Sequence, residues 1–326
     1  MTEPALEIDE HFPETPDGWA LHLKRTVASG LLRRARRPVV IVPGYGMNAF
    51  IFGFHPRGTS MERCFAEAGL EVWSANLRRQ GRARRLRKNA PGPSMRRLAE
   101  VDLTTAIEAV LSHTHTDADR VDILGCSLGG SVAYGHLALR HDHRIASLVA
   151  VGAPLRWTTV PTLLGLAFRS PRLVGMVRLS GVRRIAGLVL PLVDRMPSVI
   201  SMYMNTTHVD MSAAAEMVNT VEDPDPRVNR DIARWIGARD MVLRGVNVTE
   251  AMGRMHLPLL LVLANRDGIV PEAAALSAEK AWANGSVTTL RIGTPEDWYA
   301  HADLFVGNDA PRLVFDPIVR WLESQP

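Results

Sequence analysis

The feature that most restricts the fold is residues 125–129, which read Gly-Cys-Ser-Leu-Gly and match the pattern G-x-S-x-G. Residues 120–124 before them show the two-residue apolar alternation of a strand, and residues 130–139 after them are typical of a helix. A strand, a sharp turn and a helix form the setting in which this pattern exposes a nucleophilic serine. The glycines permit a tight turn that larger side chains would obstruct. We therefore predict that Ser127 is a nucleophile rather than part of a purely structural turn.

Strand and helix patterns alternate on both sides of this motif. Strands are predicted at 38–43, 71–77, 145–151, 258–264 and 287–292. Helices are predicted at about 60–68, 95–112, 271–282 and 311–323, the last divided near Pro317. An Asp-Gly turn at 17–18 predicts an opening β-hairpin. The predicted fold class is α/β, with a mostly parallel central sheet and helices on both faces.

The alternation is interrupted between Pro154 and Leu257. This stretch is rich in Leu, Val, Met and Arg, is divided by prolines, and shows helical character without a strand pattern. We therefore predict a core made of residues 1–153 and 258–326, with residues 154–257 inserted as a helical cap. Such a cap over the carboxyl edge of the sheet predicts an apolar pocket, with the cap's own core or a dimer contact as the alternative use of its apolar residues.

A serine hydroxyl becomes a useful nucleophile only with a base to take its proton and a third group to orient that base. In a site of this type the chain order is serine, acid, histidine. Asp267 directly follows the predicted strand 258–264, although an aspartate before Gly268 is also a common turn residue. His301 is the one histidine of eleven that follows the last predicted strand. We predict Asp267 as the orienting acid and His301 as the general base.

An oxyanion formed at such a serine needs two backbone N–H donors. The residue after the nucleophile, Leu128, is expected to supply one of them. The loop after the first buried strand is expected to supply the other, through Tyr45 in the sequence Pro43-Gly44-Tyr45-Gly46.

Three further segments carry a resemblance to a known group of proteins. They are residues 15–21 (Thr-Pro-Asp-Gly-Trp-Ala-Leu), residues 44–48 (Gly-Tyr-Gly-Met-Asn), and residues 300–311, which contain His-x-Asp and end in Asp-Ala-Pro. With the G-x-S-x-G motif, the chain resembles the α/β-hydrolase superfamily, and most closely its acid-lipase and polyhydroxyalkanoate-synthase-like branch. The resemblance implies an α/β-hydrolase core with a cap or lid.

The chain departs from that branch at identifiable positions. Pro43 stands where a histidine usually precedes the oxyanion-loop glycine. Polyhydroxyalkanoate synthases use a cysteine nucleophile, whereas this chain has Ser127, with Cys126 one place earlier and expected to point away from the site. Since the nucleophile is not an aspartate, the pattern argues against a dehalogenase or an epoxide hydrolase.

The predicted activity is that of a serine carboxylic ester hydrolase, of the lipase or esterase type, acting through an acyl-enzyme on an apolar acyl substrate. Two alternatives remain open. The same residues could serve an acyltransferase or thioesterase, or the chain could be a non-catalytic α/β-hydrolase-like binding protein. No cofactor and no metal site is predicted, since the chain has only two cysteines and its closely spaced histidine pairs lack further ligands.

The chain carries a net charge of +4. Its two arginine-rich runs, at 33–37 and 78–88, are interpreted as solvated loops because no nucleic-acid-binding motif accompanies them. The predicted partner is a small-molecule or lipid ester, not nucleic acid, and the cap arginines leave peripheral contact with an anionic membrane open. The oligomeric state is not predicted. We predict a cytoplasmic protein, because the acidic N-terminal residues show no signal-peptide pattern and no apolar run is long enough to span a membrane.

Overall fold

The structure is a computed structural model that describes residues 4–189 and 200–325. Its centre is a sheet of eight strands. They are β1 (Leu6–His11), β2 (His22–Ala28), β3 (Val39–Val42), β4 (Val72–Asn76), β5 (Val121–Cys126), β6 (Ile145–Val151), β7 (Leu259–Ala264) and β8 (Val287–Ile292). In space the order is β1-β2-β4-β3-β5-β6-β7-β8. β2 pairs antiparallel with β1 and β4, and every other pairing in the sheet is parallel. The predicted fold class and the opening hairpin are confirmed.

The apolar runs produce buried central strands because successive side chains point to opposite faces of a sheet. Along β3, Val40 and Val42 join one hydrophobic cluster, whereas Val39 and Ile41 join the other. Each cluster is covered by helices, so the central strands are buried on both faces.

The described helices lie between the strands and in the insertion. The α-helices are Phe50–Gly53, Met61–Glu67, Met95–Arg97, Leu103–His113, Leu128–Leu139, Thr162–Ala167, Pro171–Val174, Val182–Val189, Ala214–Met217, Pro226–Ala238, Val248–Met252, Glu272–Ala275, Ser277–Ala281, Asp303–Val306 and Asp316–Glu323. Two π-helical turns are present. Leu98–Asp102 interrupts the helix predicted at about 95–112, and Pro311–Phe315 precedes Asp316–Glu323, so the last helix is divided close to Pro317 as predicted. Within the described ranges, no helix has the length and apolar character that crossing a bilayer requires.

Arg78 corrects the interpretation of the second basic run as solvated. Most of that run is exposed, but the Arg78 side chain is fully buried between two carboxylates. It donates to Asp17 at 2.8 Å and to Asp102 at 2.5 Å. Burial raises the pKa of Asp102 to about 6, while Arg78 acts to lower it. Because Asp17 and Asp102 are far from Arg78 in the chain, this ion-pair network ties the opening hairpin to the helical layer.

The insertion contains two short strands, contrary to the prediction that it is helical only. Val242–Leu243 and Val246–Asn247 pair antiparallel around a two-residue turn. Both turn residues, Arg244 and Gly245, have positive φ, at 52° and 79°. That backbone matches the twist of a two-residue hairpin, so the turn is stable even with an arginine in its first position.

The second half of the insertion is continuous with the core. Helix Pro226–Ala238 contributes Val228, Ile232 and Trp235 to the hydrophobic cluster that covers one face of the sheet, and helix Val248–Met252 adds further buried residues to it. The cap boundaries at 154 and 257 remain a prediction, but the exposed part of the insertion is its first half.

His136 makes the stability of the core sensitive to acid. Its ring is buried in helix Leu128–Leu139, where Nδ1 lies 2.8 Å from the Ala99 carbonyl oxygen. Burial lowers the pKa of His136 to about 4, so the folded state keeps the ring neutral while the unfolded chain takes up a proton below about pH 6.5. The stability contributed by the neutral ring is therefore present above that pH and is lost as the pH falls towards 4.

We expect His136→Gln, which keeps an N–H donor but does not titrate, to reduce this loss. Between pH 7 and pH 5 the wild-type protein should lose about 2 kcal/mol more unfolding free energy than the variant. Urea denaturation at the two pH values measures the difference. An equal loss in both proteins would show that His136 is not the acid-sensitive group.

Candidate active site

Ser127 lies at the sharp turn between β5 and helix Leu128–Leu139. Its backbone has φ 52° and ψ −119°, a conformation that costs energy for any residue other than glycine. The Ser127 N–H donates to the Val151 carbonyl oxygen of β6 at 2.8 Å, which holds the turn against the neighbouring strand. The predicted strand, turn and helix are all present, and the serine lies at the carboxyl edge of the sheet.

The glycines of the motif allow the strand and the helix to approach so closely. A Cβ on Gly125 would lie 2.5 Å from the backbone nitrogen of Gly130, and a Cβ on Gly129 would lie 2.7 Å from the Pro43 carbonyl oxygen. Real Cβ atoms do not approach backbone atoms to these distances. Residues 125 and 129 therefore have to be glycine if the turn is to keep this shape.

Asp267 and His301 form a hydrogen-bonded pair at the same edge. His301 Nδ1 lies 2.6 Å from Asp267 Oδ2, and both side chains are buried. The other carboxylate oxygen, Oδ1, accepts the backbone N–H groups of Ile269 and Val270, each at 2.8 Å. The carboxylate is thus fixed by its own loop, and the proton on Nδ1 leaves Nε2 of His301 free to act as a base.

Gly152 connects this pair to the serine. β5 and β6 are paired through Cys126 and Val151, so the next residues, Ser127 and Gly152, leave adjacent strands that run about 4.8 Å apart. Gly152 has φ +55°, and a Cβ there would lie 3.0 Å from Cε1 and 3.1 Å from Nδ1 of His301. The imidazole therefore packs on the bare backbone of Gly152, beside Ser127.

Residues 202–205 of the insertion hold the acid loop and the histidine loop together. The Gly268 N–H donates to the Met202 carbonyl oxygen at 3.0 Å, and the Ala302 N–H donates to the Tyr203 carbonyl oxygen at 2.8 Å. Tyr203 also places its ring 6.1 Å from the His301 ring. This short segment, which we call the bracing segment, holds the backbone next to both members of the Asp267–His301 pair.

Asp303 strengthens the same arrangement two residues after His301. Its buried carboxylate accepts the N–H of Ala300 at 2.7 Å and the N–H of Asn205 at 3.0 Å. Burial raises the pKa of Asp303 to about 6, and these two backbone donors oppose the increase. The His-x-Asp pattern of the sequence thus corresponds to a carboxylate that anchors the histidine loop to the bracing segment.

The loop predicted to help bind an oxyanion lies against the serine. A Cβ on Gly44 would be 3.0 Å from Ser127 Cβ, so the loop backbone lies beside Ser127. Leu128, the other predicted donor, is the first residue of the helix, where backbone N–H groups have no partner within the helix. Tyr45 follows Gly44, and its hydroxyl donates to Asn229 Oδ1 at 2.6 Å.

The same loop is attached to the insertion. The Glu222 N–H donates to the Gly46 carbonyl oxygen at 2.8 Å, and the Asn48 N–H donates to the Thr220 carbonyl oxygen at 2.9 Å. These contacts, together with the Tyr45–Asn229 hydrogen bond, fix the loop although it lacks the usual histidine at Pro43.

Cys126 lies inside the core, as expected. It is fully buried in one hydrophobic cluster, and burial raises the pKa of its thiol well above the usual value. A neutral, enclosed thiol is a poor nucleophile. Of the two side chains Cys126 and Ser127, the buried thiol is therefore the poorer candidate nucleophile.

Sequence reasoning did not find Gly152, Asn229 or the bracing segment. Gly152 had a detectable signal, since it directly follows a predicted strand at the edge where the other candidates lie. The bracing segment had no detectable signal in the sequence, because its contacts join residues about 65 to 100 positions apart in the chain.

Comparison with family models gives a match over residues 34–292 to the hydrolase family described as serine aminopeptidase, S33. The chain belongs to this family. The matched region contains the nucleophile turn, the whole insertion and Asp267, and it ends before His301. Comparison with curated protein sequences gives no match. The acid-lipase and polyhydroxyalkanoate-synthase-like branch within the superfamily stays a prediction.

Solved structures of similar fold include several esterases. The esterase RhEst1 from Rhodococcus sp. ECU1013 is 18% identical, covers 98% of this chain and 99% of its own, and has a TM-score of 0.63. The esterase EaEST from Exiguobacterium antarcticum is 15% identical, with 97% and 100% covered and a TM-score of 0.61. A thermophilic esterase from Thermogutta terrifontis is 17% identical, with 97% and 98% covered and a TM-score of 0.62. At these identities the likeness establishes the α/β-hydrolase fold.

Proposed function

We propose that this chain is a serine carboxylic ester hydrolase that acts on esters with apolar acyl groups. Ser127 is the nucleophile, His301 the general base and Asp267 the acid that orients it. The observation that carries the proposal is the 2.6 Å hydrogen bond between His301 Nδ1 and Asp267 Oδ2, with the imidazole packed on Gly152 beside Ser127.

The proposed reaction follows from these positions. His301 Nε2 takes the Ser127 hydroxyl proton as Oγ attacks the ester carbonyl carbon, and the N–H groups of Leu128 and Tyr45 stabilise the resulting oxyanion. His301 then gives the proton to the departing alcohol, which leaves an acyl-enzyme on Ser127. A water molecule then gives a proton to His301 and attacks the acyl carbon. As the bond between that carbon and Ser127 Oγ breaks, His301 returns the proton to Oγ and the carboxylic acid is released.

A cavity of about 340 Å³ beside His301 supports an apolar acyl group. We call it the acyl cavity. Its lining includes Ala302, which follows His301, and Tyr203 from the bracing segment. The remaining lining residues are Ile51, Val182, Ile185, Ala186, Ile200, Met204, Met211, Met217, Thr220, Val221 and Val306. No charged side chain lines it among the residues that the structure describes, and its size falls within the range of small-molecule sites.

The lining of the acyl cavity suits an uncharged acyl group better than the α-ammonium group of an aminopeptidase substrate. An aminopeptidase must bind the α-ammonium group of its substrate, and a buried ammonium group is costly without a carboxylate partner. The acyl cavity supplies no carboxylate from the described residues. An uncharged acyl chain fits it without that cost.

The test is the hydrolysis of p-nitrophenyl esters, from acetate to laurate, by the wild-type protein and by Ser127→Ala. We expect turnover by the wild type, with a preference for medium chains, and none above background in the variant. Ser131→Ala is the matched control, because this serine lies one turn along the same helix and its hydroxyl donates only to the Pro154 carbonyl oxygen. Turnover that persists in Ser127→Ala, or no turnover in folded wild type with any ester, would contradict the proposal.

We expect Met217→Trp to shift the preferred chain length. Met217 is a buried lining residue, so the larger indole reduces the space for the acyl group. The kcat/KM for the long esters should fall at least roughly tenfold, while that for the acetate ester stays close to wild type. Met255→Trp, a partly buried methionine outside this cavity, should leave the profile unchanged. A uniform loss for all esters in Met217→Trp would show that this cavity does not hold the acyl group.

A further inference from the structure

The first half of the insertion exposes an unusual amount of apolar surface. Fourteen large apolar side chains are exposed in the part of the chain that the structure describes, and eight of them lie between residues 163 and 188. We call these eight the cap patch. They are Leu163, Leu166, Leu173, Met176, Val177, Leu179, Ile185 and Leu188, and they are 49% to 75% exposed. Exposed apolar clusters of this kind on a folded protein mark a surface that binds another protein, a membrane or a ligand.

The charges of the same segment all have one sign. Residues 154–193 contain six arginines and no aspartate or glutamate. Arg169, Arg172, Arg178, Arg183 and Arg184 are exposed around the cap patch. Among these five, the described contacts give a carboxylate partner only to Arg183, which lies 3.2 Å from Glu222. The segment thus combines exposed apolar side chains with four arginines to which the described contacts give no carboxylate partner.

The cap patch adjoins the acyl cavity. Helix Val182–Val189 contributes Val182, Ile185 and Ala186 to the cavity lining, and Ile185 is also 59% exposed and part of the patch. Farther along the same segment, Phe168 places its ring 6.3 Å from that of Tyr45 in the oxyanion loop. The wall of the cavity therefore reaches the protein surface within the patch, at Ile185.

We propose that the cap patch docks on the surface of anionic phospholipids and admits lipophilic esters from the bilayer into the acyl cavity. The hydrolysis of the admitted ester rests on the proposed function, whereas the docking on lipid does not depend on it. Apolar side chains enter the boundary between head groups and acyl chains, while the arginines pair with lipid phosphates.

A second copy of the chain fits this surface poorly. In a symmetric dimer the same patch lies on both subunits, so each arginine-rich segment would face another that contains no acidic residue. The repulsion between the two sets of arginines opposes such a contact, whereas an anionic lipid surface neutralises them. The positive charge of the segment therefore favours binding to an anionic lipid surface over association with a second copy of the chain.

The test is cosedimentation of the full chain with phosphatidylcholine vesicles, with and without phosphatidylglycerol, at low and high salt. We expect binding to the anionic vesicles that weakens as salt increases. The variant R169Q/R172Q/R178Q should bind on the order of 100-fold more weakly, since each arginine near an anionic surface contributes roughly a fivefold increase in binding. The variant L166S/L173S/M176S should lose binding as well. None of these six residues lines the acyl cavity.

The matched control is R120Q/R254Q/R320Q, which removes the same charge from exposed positions outside the insertion's first half. It should bind within a few-fold of wild type. Absence of binding to anionic vesicles, or an equal loss in this control, would overturn the proposal. So would a wild-type dimer in sedimentation velocity that L166S/L173S/M176S converts to monomer, since the patch would then be a subunit contact.

Hydrolysis of a short, water-soluble p-nitrophenyl ester separates the two proposals. Both cap variants should keep wild-type turnover of this ester, because their substitutions lie outside the cavity and the site. Turnover without vesicle binding would overturn docking alone. Vesicle binding without turnover of any ester would overturn the proposed function and leave docking supported.

Discussion

Asp267→Asn is expected to lower kcat for ester hydrolysis about 10⁴-fold at neutral pH. The asparagine oxygen can still accept the N–H groups of Ile269 and Val270, so the loop should keep its shape. The amide nitrogen then faces His301 Nδ1 in place of the carboxylate oxygen. Since an amide N–H donates, the ring must accept at Nδ1 and carry its proton on Nε2. In that tautomer His301 cannot take the proton of Ser127.

The measurement is steady-state hydrolysis of the ester that the wild type prefers, with circular dichroism to establish that the variant is folded. Asp309→Asn serves as the matched control, because it makes the same change in a loop outside the Asp267–His301 pair, at an aspartate that pairs with the exposed Arg312. The control should retain nearly full activity. If Asp267→Asn kept a tenth or more of wild-type kcat, the role proposed for Asp267 would be wrong.

Gly125→Ala is expected to prevent the nucleophile turn from forming. The new methyl group would overlap the backbone of Gly130, and backbone atoms inside a packed helix cannot move aside as a side-chain end can. The strand and the helix must then separate, which disturbs Ser127 and the core beneath it. We expect a loss of about 3 kcal/mol or more of unfolding free energy, together with loss of activity.

Gly237→Ala provides the comparison for this second prediction. Gly237 lies in helix Pro226–Ala238, and a Cβ there would meet nothing within 4 Å. Alanine has the higher helix propensity, so this variant should be unchanged or more stable by up to about 1 kcal/mol. Urea denaturation of both variants measures the contrast. Equal stability of Gly125→Ala and wild type would show that the turn does not need its first glycine.

Much of the fold was predictable because its signals are local. The strands at 39–42 and 259–264 are continuous apolar runs, and such a run between turn residues is typical of a strand buried on both faces of a sheet. The meeting of Asp267 and His301 was also predictable, because side chains that follow parallel strands gather at one edge. Their catalytic roles stay predictions.

The features that were missed depend on contacts between distant parts of the chain. The burial of Arg78 requires Asp17 and Asp102, which have no recognisable spacing from it. The hairpin at 242–247 places Arg244 at positive φ, a conformation that arginine does not signal. The bracing segment accepts its hydrogen bonds through the backbone carbonyl groups of Met202 and Tyr203. Because every residue has such a group, the residue types do not predict these contacts.

The most direct test of the central claim is the mass of the intact protein after treatment with a fluorophosphonate, which reacts with activated serine nucleophiles. We predict a single adduct on the wild-type protein, located at Ser127 by peptide mapping, and no adduct on Ser127→Ala. The Asp267→Asn variant should react much more slowly, because its histidine cannot take the serine proton. An unmodified wild-type protein, or an adduct that persists in Ser127→Ala, would contradict the account.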